Sequence, residues 1–192
     1  MAKLYFSYAP MNAGKSTLLL QASHNYRERG MRTLVFTSAL HVSLHAGQIQ
    51  SRIGASLPAE AFAPGVDLFE RVSLAQTEQP VHCVFVDEAQ FLERAQVWQL
   101  ARVVDELSIP VLCYGLRTDF RGELFPGSAE LLAIADSLRE VRTICHCGRK
   151  ATMVLRRTPD GAVATAGEQI AVDKALYVSL CRRHWAEQMR RA

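Results

Sequence analysis

The sequence predicts an α/β fold, a parallel sheet flanked by helices, with a small metal-organised lobe on its C-terminal side. Three observations carry this reading. Short apolar runs alternate with amphipathic helical patterns over most of the chain, and a Gly-Lys-Ser turn stands between the first run and the first helix. After Thr143 the composition turns to Cys, His, Arg and turn-forming residues.

The runs Leu4–Ala9, Thr33–Ala39, Val81–Val86 and Pro110–Leu116 are apolar at successive rather than alternate positions. Strands buried on both faces of a parallel sheet need that pattern. Lys15–Arg29 reads as a helix stopped by Gly30. Ala95–Leu107 reads as another, with Val97, Leu100, Ala101, Val104 and Leu107 on one face. Ser128, after Pro126-Gly127, is placed to cap a helix running through Leu138. Residues 40–80, which hold Gly47, Gly54, Pro58, Pro64, Gly65 and Pro80, read as loops and short elements with room for a strand. Beyond Thr143, Pro159-Asp160-Gly161 marks a tight turn in a small β-rich lobe.

A chain of 192 residues, 49% hydrophobic and 21% charged, can bury roughly 70% of its unfolded surface, which excludes a disordered protein. No apolar run reaches the ~18 residues of a membrane-crossing helix. The opening Met-Ala-Lys-Leu-Tyr-Phe-Ser-Tyr lacks the apolar stretch of a secretory signal, so a cytoplasmic location is expected. The net charge of +3 divides unevenly: residues 1–138 hold 11 bases and 14 acids, residues 139–192 hold 11 bases and 5 acids. The basic tail suits an anionic partner or a solvated surface. Cys83 and Cys113 lie inside apolar runs, where a free thiol behaves as a small hydrophobe.

Ala9-Pro10-Met11-Asn12-Ala13-Gly14-Lys15-Ser16 matches the phosphate loop G-x-x-x-x-G-K-[ST] except that Ala9 replaces the first glycine. Such a loop turns backbone N–H groups inward, and the helix that follows adds the positive end of its dipole, so polyphosphate is cradled. Lys15 supplies a point charge for the outer phosphates, Gly14 allows close backbone approach, and the Ser16 hydroxyl can ligate Mg²⁺. The fold is then P-loop NTPase-like. Asp87-Glu88-Ala89-Gln90 follows the buried run at Val81–Val86, and ligands of such sheets bind at the carboxyl edge. Asp87 is expected to serve Mg²⁺ opposite Ser16, leaving Glu88 as a base.

Cys145-His146-Cys147 and Cys181-Arg182-Arg183-His184 form two ligand pairs. Cys145, Cys147, Cys181 and His184 make a Cys₃His set of the kind that holds structural Zn²⁺. The first pair has one residue between its cysteines where two are usual, and His146 can replace one of them.

Together, Ala9–Thr17, Val86–Phe91, Tyr114–Phe120 and Tyr177–Arg182 resemble, in order along the whole chain, the zinc-containing, tetrameric class of thymidine kinases. The resemblance implies an ATP-binding domain over 1–142 and a zinc-binding lasso domain over 143–192. It implies phosphoryl transfer from ATP, with Mg²⁺, to the 5′-hydroxyl of thymidine, and a homotetramer with neither a nucleic-acid nor a membrane partner. By that match Glu88 takes the hydroxyl proton, and Ala9–Ser16 with Asp87, Glu88, Ala89 and Gln90 face ATP. Phe120 stacks on thymine, and Ile170, Ala171, Val172, Asp173 and Tyr177 belong to the lasso that closes on the base.

Two stretches depart from the family pattern. Leu40–His45 lacks the usual acidic residue and arginine, and Ala171-Val172-Asp173-Lys174 stands where paired glycines are usual. They keep a catalytically weak nucleotide-binding homologue as one alternative. A nucleic-acid-dependent ATPase is another, since Asp87-Glu88-Ala89-Gln90 also resembles a helicase acidic box, but helicases generally need two such domains.

Overall fold

The computed structural model describes residues 1–40, 48–50, 54, 56–169 and 176–192. Its main sheet is built from β1 (Leu4–Ala9), β2 (Thr33–Ser38), β5 (Glu60–Phe62), β6 (Cys83–Val86), β7 (Val111–Leu116) and β8 (Ser137–Glu140). The strands lie in the order β5-β2-β6-β7-β1-β8, and every pairing is parallel. Between them run helices α1 (Lys15–Glu28), α2 (Leu68–Glu78), α3 (Arg94–Leu107) and α4 (Pro126–Ile134). A hairpin of β3 (Gln48–Gln50) and β4 (Ser56–Pro58) stands apart from this sheet.

Side-chain alternation explains why the strands are apolar throughout. Along β6, Cys83 and Phe85 join Leu19 and Leu20 of α1 with Tyr114, whereas Val84 and Val86 join Val97, Leu100 and Val103 of α3. Successive strand residues face opposite sides, so two cores need two sets of apolar positions. Fully burying each such Val, Leu or Phe side chain stabilises the fold by about 1.5–3 kcal/mol. The thiols of Cys83 and Cys113 are fully buried within these cores.

The expected helix from Ser128 through Leu138 is corrected at both ends. It begins at Pro126, whose fixed φ suits a first helical position, and Ser128 donates its hydroxyl to the Leu116 carbonyl instead of capping. It stops at Ile134. Ala135 is extended (ψ 136), the Asp136 carboxylate accepts the N–H of Leu4 at 2.7 Å, and Ser137–Glu140 then pairs alongside β1. Leu138 is thus an edge-strand residue and largely exposed.

Residues 40–80, read as loops and short elements with room for a strand, contain three short strands, β3, β4 and β5, and also α2, an 11-residue helix that the density of Gly and Pro concealed. Asp67 caps it by accepting the Glu70 N–H at 3.0 Å, and Leu68 and Val72 are its buried contacts. α3 begins one residue earlier than expected, with a reciprocal capping box between Glu93 and Gln96.

The C-terminal lobe consists of β9 (Met153–Arg156) paired antiparallel with β10 (Tyr177–Leu180), followed by α5 (Arg182–Met189). Its core is small: Cys145, Ala151, Leu155, Leu180 and Cys181, with Val163, Trp185 and Met189 packed against them. The expected turn at Pro159-Asp160-Gly161 is present, with Gly161 at φ 88 and the Thr158 N–H donating to Ala162. No helix among the described residues is long and apolar enough to cross a membrane.

α4 approaches the turn after β6 so closely that a Cβ on Gly127 would lie 2.6 Å from the Ala89 carbonyl oxygen and 2.7 Å from that of Leu92. Alanine normally stabilises a helix relative to glycine by up to ~1 kcal/mol, but here backbone must move. Gly127→Ala is therefore expected to destabilise the protein by about 2 kcal/mol, read as a lower urea midpoint at unchanged m-value.

Candidate active site and metal cluster

The phosphate loop leaves β1 at Ala9 and enters α1 at Lys15. Ala9 is a fully buried strand residue paired with Leu116, a place where an L-residue sits without strain, so the substitution for glycine is accommodated. Asn12 (φ 64) and Gly14 (φ 83) take left-handed conformations, and Gly14 stands at the N-cap with no side-chain cap. For Gly14 the φ itself is the requirement, since a Cβ there would meet nothing within 4 Å. The Lys15 ammonium donates to the Pro10 carbonyl at 3.0 Å, folding back over the loop. Met11 and Ala13 complete the turn between them.

Ser16 donates its hydroxyl to Asp87 Oδ2 at 3.0 Å. Asp87 follows the last residue of β6, is 2% exposed, and its N–H bonds to the Phe36 carbonyl of β2. Burial, then the neighbouring Glu88 carboxylate, push the Asp87 pKa up to about 7 against the pull of Ser16, the Glu88 N–H and Lys15. A carboxylate this hard to ionise favours any cation that can reach it.

Glu88 adopts φ 53, ψ 36, a left-handed conformation that costs a non-glycine residue about 1–3 kcal/mol. The 3-10 turn Ala89–Phe91 and the Gln90 amide hold it there. Gln90 is buried, donates through Nε2 to Glu88 Oε2 at 2.6 Å and accepts the Leu116 N–H at 3.0 Å. Gly115 makes room for it, because a Cβ there would stand 2.9 Å from Gln90 Oε1. Ala89 is buried as well.

Phe120 lies beyond β7, buried, with the Arg156 guanidinium 3.8 Å from its ring centroid and Trp185 Nε1 donating to its carbonyl at 3.0 Å. Arg156 also donates to the carbonyls of Ala166 (2.9 Å) and Glu168 (2.7 Å). Tyr177 opens β10 opposite Arg156. Ile170, Ala171, Val172 and Asp173 lie outside the described residues, as does the altered stretch after Leu40.

Sequence reasoning missed three residues. Asp119 is buried and accepts the N–H groups of Arg121 and Glu123 and the Arg121 side chain, which shapes the loop around Phe120. The Asp-x-x-Gly spacing of a turn could have revealed it. Arg156 and Ser179 give no local signal, since their partners are remote in sequence.

The Sγ atoms of Cys145, Cys147 and Cys181 and one ring nitrogen of His184 lie within 4.8 Å of one another. The shorter edges are 3.3 Å (Cys145 to His184 Nδ1), 3.6 Å (Cys181 to His184 Nδ1) and 3.9 Å (Cys147 to Cys181). A tetrahedral zinc with Zn–S near 2.3 Å and Zn–N near 2.0 Å has edges of about 3.5–3.8 Å. The donor set therefore fits the ion. Desolvation opposes ionisation of Cys145, but the backbone N–H groups of Cys147 and Cys181 with the His184 ring outweigh it and bring the thiol down to about 6. A thiolate is what a metal requires. His146 stands outside the four, its ring stacked on His184 at 4.4 Å.

A parallel sheet whose first strand feeds a Gly-Lys-Ser loop, with the loop serine bonded to a carboxylate from another strand, defines a phosphate-loop α/β protein. More narrowly, the chain belongs to the thymidine kinase family, whose model, described as "Thymidine kinase", matches residues 2–185. A protein named thymidine kinase from Mesorhizobium japonicum is 66% identical over 192 residues, covering 100% of this chain and 95% of its own. Similarly named proteins from Agrobacterium fabrum and Salmonella choleraesuis are 62% and 56% identical, covering 97% and 98% of this chain and 97% and 93% of theirs.

The raised pKa of Asp87 carries a pH signature. The native state holds this proton more tightly than the unfolded chain, so the contribution of Asp87 to stability is full below the unfolded carboxylate pKa, declines above it and is lost as pH rises through about 7. Asp87→Asn removes that slope. In Mg²⁺-free buffer without nucleotide, the variant should melt a few degrees above wild type at pH 8, with the gap closing towards pH 5.

Proposed function

We propose that this protein transfers the γ-phosphoryl group of ATP to the 5′-hydroxyl of thymidine, yielding thymidine monophosphate and ADP for DNA synthesis by salvage. One observation carries the chemistry: Ser16, Asp87 and Glu88 meet at the carboxyl edge of the sheet, beside the phosphate loop, through the 3.0 Å Ser16–Asp87 contact. Family membership supplies the substrate.

Residues 9–16 bind the triphosphate, with Lys15 leaving the Pro10 carbonyl for the outer phosphates. Ser16 and Asp87 would hold Mg²⁺, which would supply positive charge against the polyphosphate. Glu88 accepts the proton of the 5′-hydroxyl as that oxygen bonds to the γ-phosphorus and the bond to the ADP oxygen breaks. Gln90, bonded to the Glu88 carboxylate, keeps it on the substrate side. Phe120, Ile170, Ala171, Val172, Asp173 and Tyr177 form the base site, from which water that would otherwise take the phosphoryl group is excluded. Cys145, Cys147, Cys181 and His184 would hold a structural Zn²⁺, which would tie together a zinc-binding domain assigned to residues 143–192, after the ATP-binding domain over 1–142. The working form is a cytoplasmic homotetramer.

With ATP and Mg²⁺, purified protein should convert thymidine to its monophosphate, one ADP per product. Glu88→Gln should lower kcat about 10²–10⁴-fold with little change in stability. ATP turnover indifferent to nucleosides but stimulated by single-stranded nucleic acid would point to an ATPase instead. Elemental analysis of protein purified without chelator should find one zinc per chain, and Cys181→Ser should bring it to a small fraction of that while lowering the melting temperature.

A further inference from the structure

Ser179 lies in the middle of β10, and its hydroxyl donates to the carbonyl oxygen of Met11 at 2.5 Å, bridging 168 positions of sequence. This contact joins the C-terminal lobe to the centre of the phosphate loop. The strand that carries it is well held. Ser179 stands opposite Val154 in the β9–β10 ladder, the Thr152 N–H bonds to Leu180 at 3.0 Å, and Cys181 of the metal cluster follows directly after β10. A second tie runs from Arg117, after β7, to the Thr152 carbonyl at 3.4 Å.

The peptide plane turns this contact into a constraint on the loop. In a trans peptide the carbonyl oxygen and the following N–H point in opposite directions. Holding the Met11 oxygen on β10 therefore aims the Asn12 N–H away from the lobe. It also fixes the peptide leading into Asn12, whose φ of 64 is a conformation that side chains seldom take unaided. A phosphate loop works by converging its N–H groups while its carbonyls point outward, so an outward carbonyl tied to a rigid strand is a device for presenting the donor on its far side.

We infer that Ser179 is a positioning residue for the triphosphate, acting through the Met11–Asn12 peptide. The inference rests on the phosphate-loop reading, and it is independent of which hydroxyl receives the phosphoryl group. If Ser179 only glues the lobe to the sheet, its loss would weaken both substrates and the fold alike. If it positions the loop, its loss would fall on nucleotide binding.

Ser179→Thr and Ser179→Val test this in the full-length, metal-loaded protein, because the two replacements match in shape and differ in the hydroxyl. Calorimetric titration with a non-hydrolysable ATP analogue is read beside the KM values for ATP and thymidine. Ser179→Val should weaken analogue binding and raise the ATP KM by about fivefold, the effect of one net hydrogen bond. The thymidine KM should stay within about twofold, and Ser179→Thr should bind the analogue as wild type does. Three results would overturn the inference: equal analogue affinity in Thr and Val variants, a parallel rise in both KM values, or failure of the Thr variant to bind while it remains folded. Should wild type fail to phosphorylate thymidine, the proposed reaction falls, yet the analogue titration still decides the role of Ser179.

Discussion

A carboxylate almost wholly withdrawn from water joins two pieces of chain whose strands are not neighbours. Asp87 directly follows β6, Ser16 is the second residue of α1 just beyond β1, and β7 lies between those strands. For the two side chains to stand 3.0 Å apart, the loop from β1 must lean across the carboxyl end of β7. Much of the surrounding structure serves that arrangement. Phe36 fixes the Asp87 backbone from the far side, Gly115 at the end of β7 yields space to Gln90, and Gln90 holds Glu88 in its left-handed turn. An ionised carboxylate in such surroundings costs several kcal/mol unless positive charge approaches.

The neighbouring carboxylate completes the division of labour. Two acids adjacent in sequence normally point to opposite faces of a strand, but β6 ends at Val86 and Glu88 turns into left-handed space. Its partner Gln90 is supplied by the same short turn, so a single segment of four residues provides two carboxylates and the amide that orients one of them. That compactness explains why this segment stood out in the sequence.

Much of the fold was equally legible, because parallel strands buried on both faces leave unbroken apolar runs, and the loop between β1 and α1 has a fixed spelling. Legibility failed where the deciding partner is remote. Nothing near Ala135 announces that Asp136 will accept the Leu4 N–H and convert the expected last turn of a helix into β8. α2 was obscured because the prolines and glycines around it bound the helix instead of excluding it. Ser128 has the chemistry of a cap, yet Leu116 claims its hydroxyl. Arg156 clamps Phe120 and the carbonyls of Ala166 and Glu168, and Ser179 reaches Met11; both depend on the lobe folding back against the sheet. The Cys/His cluster was readable from spacing despite its short first pair, and Gly148, at φ 79, lets the chain turn back on itself there.

The most direct measurement compares binding of a non-hydrolysable ATP analogue with and without Mg²⁺, in wild type and in Asp87→Asn. If the buried carboxylate is the metal's partner, Mg²⁺ should tighten binding at least tenfold in wild type and have almost no effect in the variant, while metal-free affinities remain similar. An equal Mg²⁺ dependence in the two proteins would contradict the role given to Asp87 and with it the arrangement of the site.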